Sequence, residues 1–120
     1  MSLSRDRLLS ATTLPRESVA IPELDGTVIV QGLSGAQRDA FEASIFKQRG
    51  KTRELQMQNL RARLVALCVV DATGARVFQD EDAAALGQTR ADILDRIFGV
   101  AQHLSGLREQ DVDELGQPSA

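Results

Sequence analysis

Apolar residues in this chain recur with two different periods, and the change of period marks out its elements. Within 17–33, Val19, Ile21, Val28 and Val30 occupy alternate positions on either side of Asp25-Gly26. Alternation is the mark of a half-buried strand, and an Asp-Gly pair between two such runs predicts a β-hairpin. A two-residue turn there sets Leu24 against Thr27, Glu23 against Val28 and Ile21 against Val30. Val19, Ile21, Val28 and Val30 then share the buried face. Pro22 lacks an N–H, so its strand is expected at a sheet edge, where another chain can add. Ser34 and Gln37 form a capping box that starts a helix over 35–47, with Ala40, Phe41 and Ile45 as a narrow stripe.

The period then becomes helical. Leu60, Leu64, Leu67 and Cys68 fall at i, i+4, i+7 and i+8, predicting a helix over 54–68 with Met57 on its apolar face. Val69-Val70 and Val77-Phe78 flank a turn at 71–74, so helix and hairpin compete for 65–70. The segment 75–78 either returns antiparallel to Val69-Val70 or adds to the N-terminal hairpin. Asp80 is expected to cap a short helix stopped by Gly87. Thr89 and Asp92 open the clearest helix, over 89–104, in which Ile93, Ile97, Val100, Ala101 and Leu104 line one face. That face is expected to pack on the 54–68 helix. Ser105-Gly106 end it, and a short acidic helix is expected over 107–115. The fold class read from this order is α+β: an N-terminal β-hairpin in a small antiparallel sheet, packed on a mainly α-helical domain of three to five helices. Residues 1–16 are expected as a flexible arm, 17–115 as one domain and 116–120 as a disordered tail.

Composition narrows the function classes. Apolar residues make up 42% of the chain, but aromatic ones only 3%, with four Phe and neither Trp nor Tyr. The core is therefore expected to be aliphatic, and the lack of Trp and Tyr weakens a reading as a single-strand nucleic-acid binder, which leans on aromatic platforms. The net charge of −3 is unevenly spread: residues 1–70 carry ten Lys/Arg and seven Asp/Glu, residues 71–120 four and ten. A basic half and an acidic half suit end-to-end self-association. Lys47, Arg49, Lys51 and Arg53 surround Gly50 in the most charged stretch, expected as a solvated mobile loop. No aromatic or second basic cluster accompanies it, so no nucleic-acid partner is expected.

No run approaches the ~18 apolar residues of a bilayer span. No apolar h-region follows Met1–Arg7. One cysteine, Cys68, leaves no internal disulfide to form. A cytoplasmic protein is expected. Cys68 reads as a small buried hydrophobe, and His103 as a surface residue favoured at a helix C-terminus. The acids at 80–82 lack the central Gly and later Glu of a calcium loop. There is no glycine-rich phosphate loop, Cys/His metal spacing or nucleophile elbow. Neither cofactor nor metal is expected, and the role is binding or assembly, not enzymatic catalysis. Val19 and Ile21 on the edge strand, Lys47, Arg49, Lys51 and Arg53 in the basic stretch, and Met57 are the candidate partner-contacting residues.

Three stretches together resemble the tail assembly chaperones of long-tailed phages and prophages. The first runs Val19-Ala20-Ile21-Pro22-Glu23-Leu24-Asp25-Gly26 and continues from Val28 to Glu42. The second is Arg61-Ala62-Arg63-Leu64-Val65-Ala66-Leu67 with Asp71, Gly74, Val77-Phe78 and Asp80-Glu81-Asp82. The third is Leu94-Asp95-Arg96-Ile97-Phe98 with Ala101, Leu104-Ser105-Gly106-Leu107 and Asp111-Val112-Asp113-Glu114-Leu115. The resemblance covers 17–115. It implies a non-enzymatic protein of the host cytoplasm that binds the tape measure protein, keeps it soluble and helps recruit tail tube subunits. It also implies absence from the mature virion, and in many such phages a longer frameshifted form. No site residues follow from it. A structural tail-completion protein and a small nucleic-acid-associated regulator are the alternatives.

Overall fold

A computed structural model of the chain describes residues 2–49, 52–55 and 59–107. Among them are helices α1 (Arg5–Leu9), α2 (Gly35–Ser44), α3 (Leu60–Cys68), α4 (Ala83–Leu86) and α5 (Ala91–Leu104). The strands are β1 (Arg16–Ile21), β2 (Gly26–Gln31), β3 (Phe46–Arg49), β4 (Thr52–Leu55) and β5 (Val69–Val70). The fold is α+β, as expected.

The N-terminal hairpin forms in a different register from the predicted one. Ile21 pairs with Gly26, Val19 with Val28 and Glu17 with Val30. Pro22–Leu24 make a 3-10 turn, and Asp25 takes a left-handed φ of 55° while its N–H donates to the Pro22 carbonyl at 3.1 Å. A type I′ turn needs positive φ at both central residues, and Gly26 does not adopt it. Proline explains the preference. Its missing N–H costs nothing at the start of a helical turn, whereas inside the ladder it removes a bond. The register moves by an even number of residues, so the buried face is unchanged. Val19, Ile21 and Val30 are buried and Val28 packs against them. β2 pairs on its other side with β5, which gives the sheet order β1-β2-β5 with β1 at an edge.

α2 starts at the predicted capping box. Ser34 Oγ accepts from the Gln37 N–H at 3.2 Å, and Gln37 Oε1 accepts from the Ser34 N–H at 2.9 Å. It ends at Ser44, earlier than predicted, because the chain turns into β3 and pairs antiparallel with β4. The basic stretch is therefore largely a hairpin instead of a loop, and α3 begins at Leu60 instead of Glu54. A ladder uses backbone groups only, so a run of charged side chains does not oppose it.

α3 buries six of its nine residues, Leu60, Ala62, Leu64, Val65, Ala66 and Cys68, and leaves Arg61 exposed. Such a helix belongs in the core. The helix continues through Cys68, then the chain extends as β5. The 75–78 segment takes the first of its two expected routes. Val70 bridges Arg76, and the Val77 N–H donates to the Val69 carbonyl at 3.2 Å. Asp71 closes the turn, its Oδ1 accepting from the N–H groups of Thr73 and Ala75 at 2.9 and 3.1 Å.

α5 packs on α3, as predicted, and also touches β1 and β2; it buries Ile93, Leu94, Ile97, Phe98 and Ala101, whereas Val100 and Leu104 of the predicted face are only partly buried. Outside that seam, Arg61 pairs with Asp95 at 3.3 Å and lies over the Phe98 ring at 5.5 Å. Two caps differ from expectation. The Thr89 hydroxyl donates to the Leu86 carbonyl at 2.7 Å, which ties it to α4 and leaves Arg90 as the α5 cap. Gln79, not Asp80, opens the 3-10 turn Asp80–Asp82, its N–H donating to the Asp82 carboxylate at 2.7 Å. α5 ends in a Schellman motif: Gly106 at φ 70°, its N–H on the His103 carbonyl at 3.2 Å, and the Leu107 N–H on Gln102 at 2.9 Å. Leu107 is buried. The helix expected over 107–115 lies, past Leu107, outside the described residues.

Candidate interaction surfaces

The sequence has four aromatic side chains, all Phe, and one of them, Phe41, borders a space between α2 and α3. Ala40 and Phe41 of α2 face Ala66 and Leu67 of α3 across a cleft of about 350 Å³. Small side chains at 40 and 66 leave the gap. Gln37, Ser44, Arg63 and Asp80 complete its wall.

The rim is held by two arginines that also finish helices. Arg63 Nη1 donates to the Ser44 carbonyl at 2.9 Å and to its hydroxyl at 3.1 Å, covering the open end of α2. Burial lowers the pKa of Arg63. Arg76 donates to the Ala66 carbonyl at 3.1 and 3.3 Å, and its Nη2 pairs with Asp80 at 2.9 Å. The cleft is thus an apolar floor with a charged margin.

Val19 and Ile21 point into the core, at 7% and 3% exposure. What β1 leaves open is its outer edge, since within its sheet it pairs with β2 alone. Lys47 and Arg49 lie on β3 and Arg53 on β4, with Lys47 opposite Glu54 and Gln48 opposite Arg53. Lys51 and Met57 lie outside the described residues. β3 begins two residues after Ser44, so the basic hairpin leaves the body at the end of α2 that borders the cleft. Ala40, Ala66, Leu67 and Asp80 were not singled out in the sequence as residues around a cleft. Their only signal is an alanine at each of two facing helical positions.

A second, more polar groove runs along Thr12, Thr13 and Leu14, against Arg16, Gln31, Thr73 and Gly74. Arg16 Nε donates to Gln31 at 2.7 Å there. Cys68 is fully buried, and desolvation pushes its thiol up to about 11, against a 3.8 Å contact with Ser105 Oγ. It packs as a small hydrophobe. His103 is exposed in the last turn of α5. Among the described residues no group of three or more His, Cys, Asp or Glu is placed to hold a metal ion. No described helix is long and apolar enough to cross a membrane.

The family model described as phage tail assembly chaperone matches residues 6–117. No curated protein and no solved structure matches the chain.

Proposed function

The chain belongs to the phage tail assembly chaperone family, and on that premise we propose that it binds the tape measure protein in the host cytoplasm and helps recruit tail tube subunits around it. It acts by contact, without catalysis, and does not remain in the mature virion. Family membership is the observation that carries this reading.

The surfaces described above support it. The β3–β4 hairpin brings Lys47, Arg49 and Arg53 to a two-stranded element, with Lys51 and Met57 adjoining it in sequence. Basic side chains in such a place attract an acidic face of a long helical client. The outer edge of β1, to which Val19 and Ile21 contribute backbone, is the second candidate contact. The excess of base in residues 1–70 and of acid in residues 71–120 favours arrays of copies along a filamentous client.

Co-expression with the tape measure protein of the same phage tests the proposal. The expected result is a soluble client that co-purifies with the chain and binds tube subunits. A client that is equally insoluble with and without the chain overturns it. Stoichiometric chain in purified virions, read by mass spectrometry, identifies a tail component instead.

A further inference from the structure

The outer edge of β1 carries backbone groups with no partner in the fold. The Gly32 N–H donates to the Pro15 carbonyl at 2.9 Å, and this pair continues the β1–β2 register one step beyond Arg16 and Gln31. Hydrogen-bonded pairs alternate along an antiparallel ladder, so Glu17, Val19 and Ile21 turn their N–H and C=O groups toward β2. Those of Arg16, Ser18 and Ala20 point away from it. All three residues are exposed, and among the described residues none of them makes a backbone hydrogen bond outside the ladder. Native sheets guard such an edge with lysine, proline or a bulge. β1 has no lysine or proline, pairs without a break over Arg16–Ile21, and is uncharged at Ser18-Val19-Ala20.

This edge is complementary to itself. Two copies of β1 set antiparallel about Ser18 bring Ser18 opposite Ser18, Arg16 opposite Ala20 and Glu17 opposite Val19. Every outward N–H of either strand then meets an outward C=O of the other, opposed side chains share a face of the sheet, and no like charges stand directly opposite. The neighbouring registers that keep the same faces are worse. Pairing about Glu17 sets Glu17 against Glu17, and pairing about Val19 sets Arg16 against Pro22, which has no N–H to give. No other described strand of the chain matches the edge. β2 is paired on both sides, and Arg76 bridges the outer side of β5. β3 and β4 have four residues each, against six in β1.

We propose that the outer edge of β1 is a homodimer interface, in which β1 of one copy pairs antiparallel with β1 of a second copy about Ser18. The two sheets join in the order β5-β2-β1-β1-β2-β5. The contact is isologous and closes at two copies. Main-chain hydrogen bonds supply its affinity, and the small side chains of Ser18 and Ala20 leave the second strand room to approach. This assigns the β1 edge to a second copy instead of the client, and it does not rest on client binding.

The test uses the full chain. Sedimentation of the wild type is expected to show monomer and dimer in a balance that shifts with concentration. Ser18→Pro removes an outward N–H that β2 does not use, and is expected to need at least ~10-fold more protein to dimerise. Its circular dichroism melt checks that it folds. Where the proline unfolds the chain, Ser18→Lys/Ala20→Lys, altered only at exposed positions, is expected to show the same loss by setting like charges across the two-fold axis. Ser18→Cys is expected to cross-link into a disulfide dimer under mild oxidation, and faster than Val77→Cys, which is exposed away from this edge; the native Cys68 is buried. A wild type that stays monomeric overturns the proposal. A folded proline or lysine variant that dimerises like the wild type also overturns it, as do cysteine variants that cross-link at equal rates. Capture of the tape measure protein is read in parallel. Capture lost in a folded edge variant of a chain that is monomeric throughout gives the edge to the client and rejects the dimer. A wild-type dimer that captures no client leaves the edge pairing standing and rejects the client reading.

Discussion

Glu23 and Arg96 form a two-point ion pair, Nη1 to Oε1 at 2.9 Å and Nη2 to Oε2 at 2.6 Å, which ties the 3-10 turn of the N-terminal hairpin to α5. Planar, paired contacts of this kind carry directional preference as well as charge. The hydrogen bonds from Arg96 hold the Glu23 carboxyl at about 2, against an ordinary 4.5. A carboxyl whose folded pKa lies below its unfolded one stabilises the fold above the unfolded value and loses that contribution as pH falls toward the folded value. The window is therefore about 4.5 down to about 2. Urea midpoints of the wild type and Glu23→Gln are expected to differ at neutral pH and to converge across that window. Parallel curves at all pH values mean the pair contributes nothing.

Gly32 sits where β2 leaves the sheet beneath the end of α5. A Cβ there presses against the Leu104 carbonyl oxygen and comes within 3.1 Å of the Pro15 ring. Gly32→Ala is expected to cost ~1–3 kcal/mol by overpacking against backbone. Gly35→Ala meets nothing within 4 Å and is expected to stabilise by ~0.4–1 kcal/mol, through a less flexible unfolded chain. Denaturant titration of the two variants gives opposite signs if the close approach is real.

Leu64 is fully buried at the centre of the α3 packing. Leu64→Ala is expected to lose ~2–5 kcal/mol. Val77, 52% exposed, is the control, and Val77→Ala is expected to stay within ~0.5 kcal/mol. Equal losses at the two positions contradict the packing described.

The Cys68 thiol is buried, and its pKa is raised to about 11 by desolvation. It is expected to resist a disulfide reagent at mildly alkaline pH in the folded chain and to react fully in denaturant. The rate of labelling under native conditions then reports the opening of the core. Rapid labelling of the folded chain contradicts the burial.

Much of this fold was legible in residue spacing, and the failures share a cause. The α5 stripe, the Ser34 capping box, the Asp71–Gly74 turn and the Cys68 burial all follow from local rules that tertiary context left alone. The hairpin register did not, because Asp25-Gly26 carries a strong turn signal while Pro22, three residues earlier, overrides it. The basic stretch was read as a loop from its charge, yet ladder pairing concerns the backbone. Thr89 and Asp80 look like caps, but the Thr89 hydroxyl donates to the Leu86 carbonyl, the Asp80 carboxylate accepts from Arg76, and Gln79 holds the cap position. The α2–α3 cleft was illegible for another reason: it is made by what Ala40 and Ala66 lack, and an absence at two positions twenty-six apart becomes visible only when the helices are side by side. The Glu23–Arg96 pair likewise joins residues with no sequence relation.

The even offset between the predicted and observed hairpin registers bears on what selects between them. Both pairings bury Val19, Ile21, Val28 and Val30, so hydrophobic collapse alone does not choose between them. The choice falls to features at the two ends of the hairpin: Pro22 kept out of the ladder, Glu23 delivered to Arg96, and Gly32 fitted under Leu104. Two of these three need α5 in place. Packing of that helix therefore discriminates between the two registers in the folded state, since only the observed one brings Glu23 to Arg96 and Gly32 under Leu104.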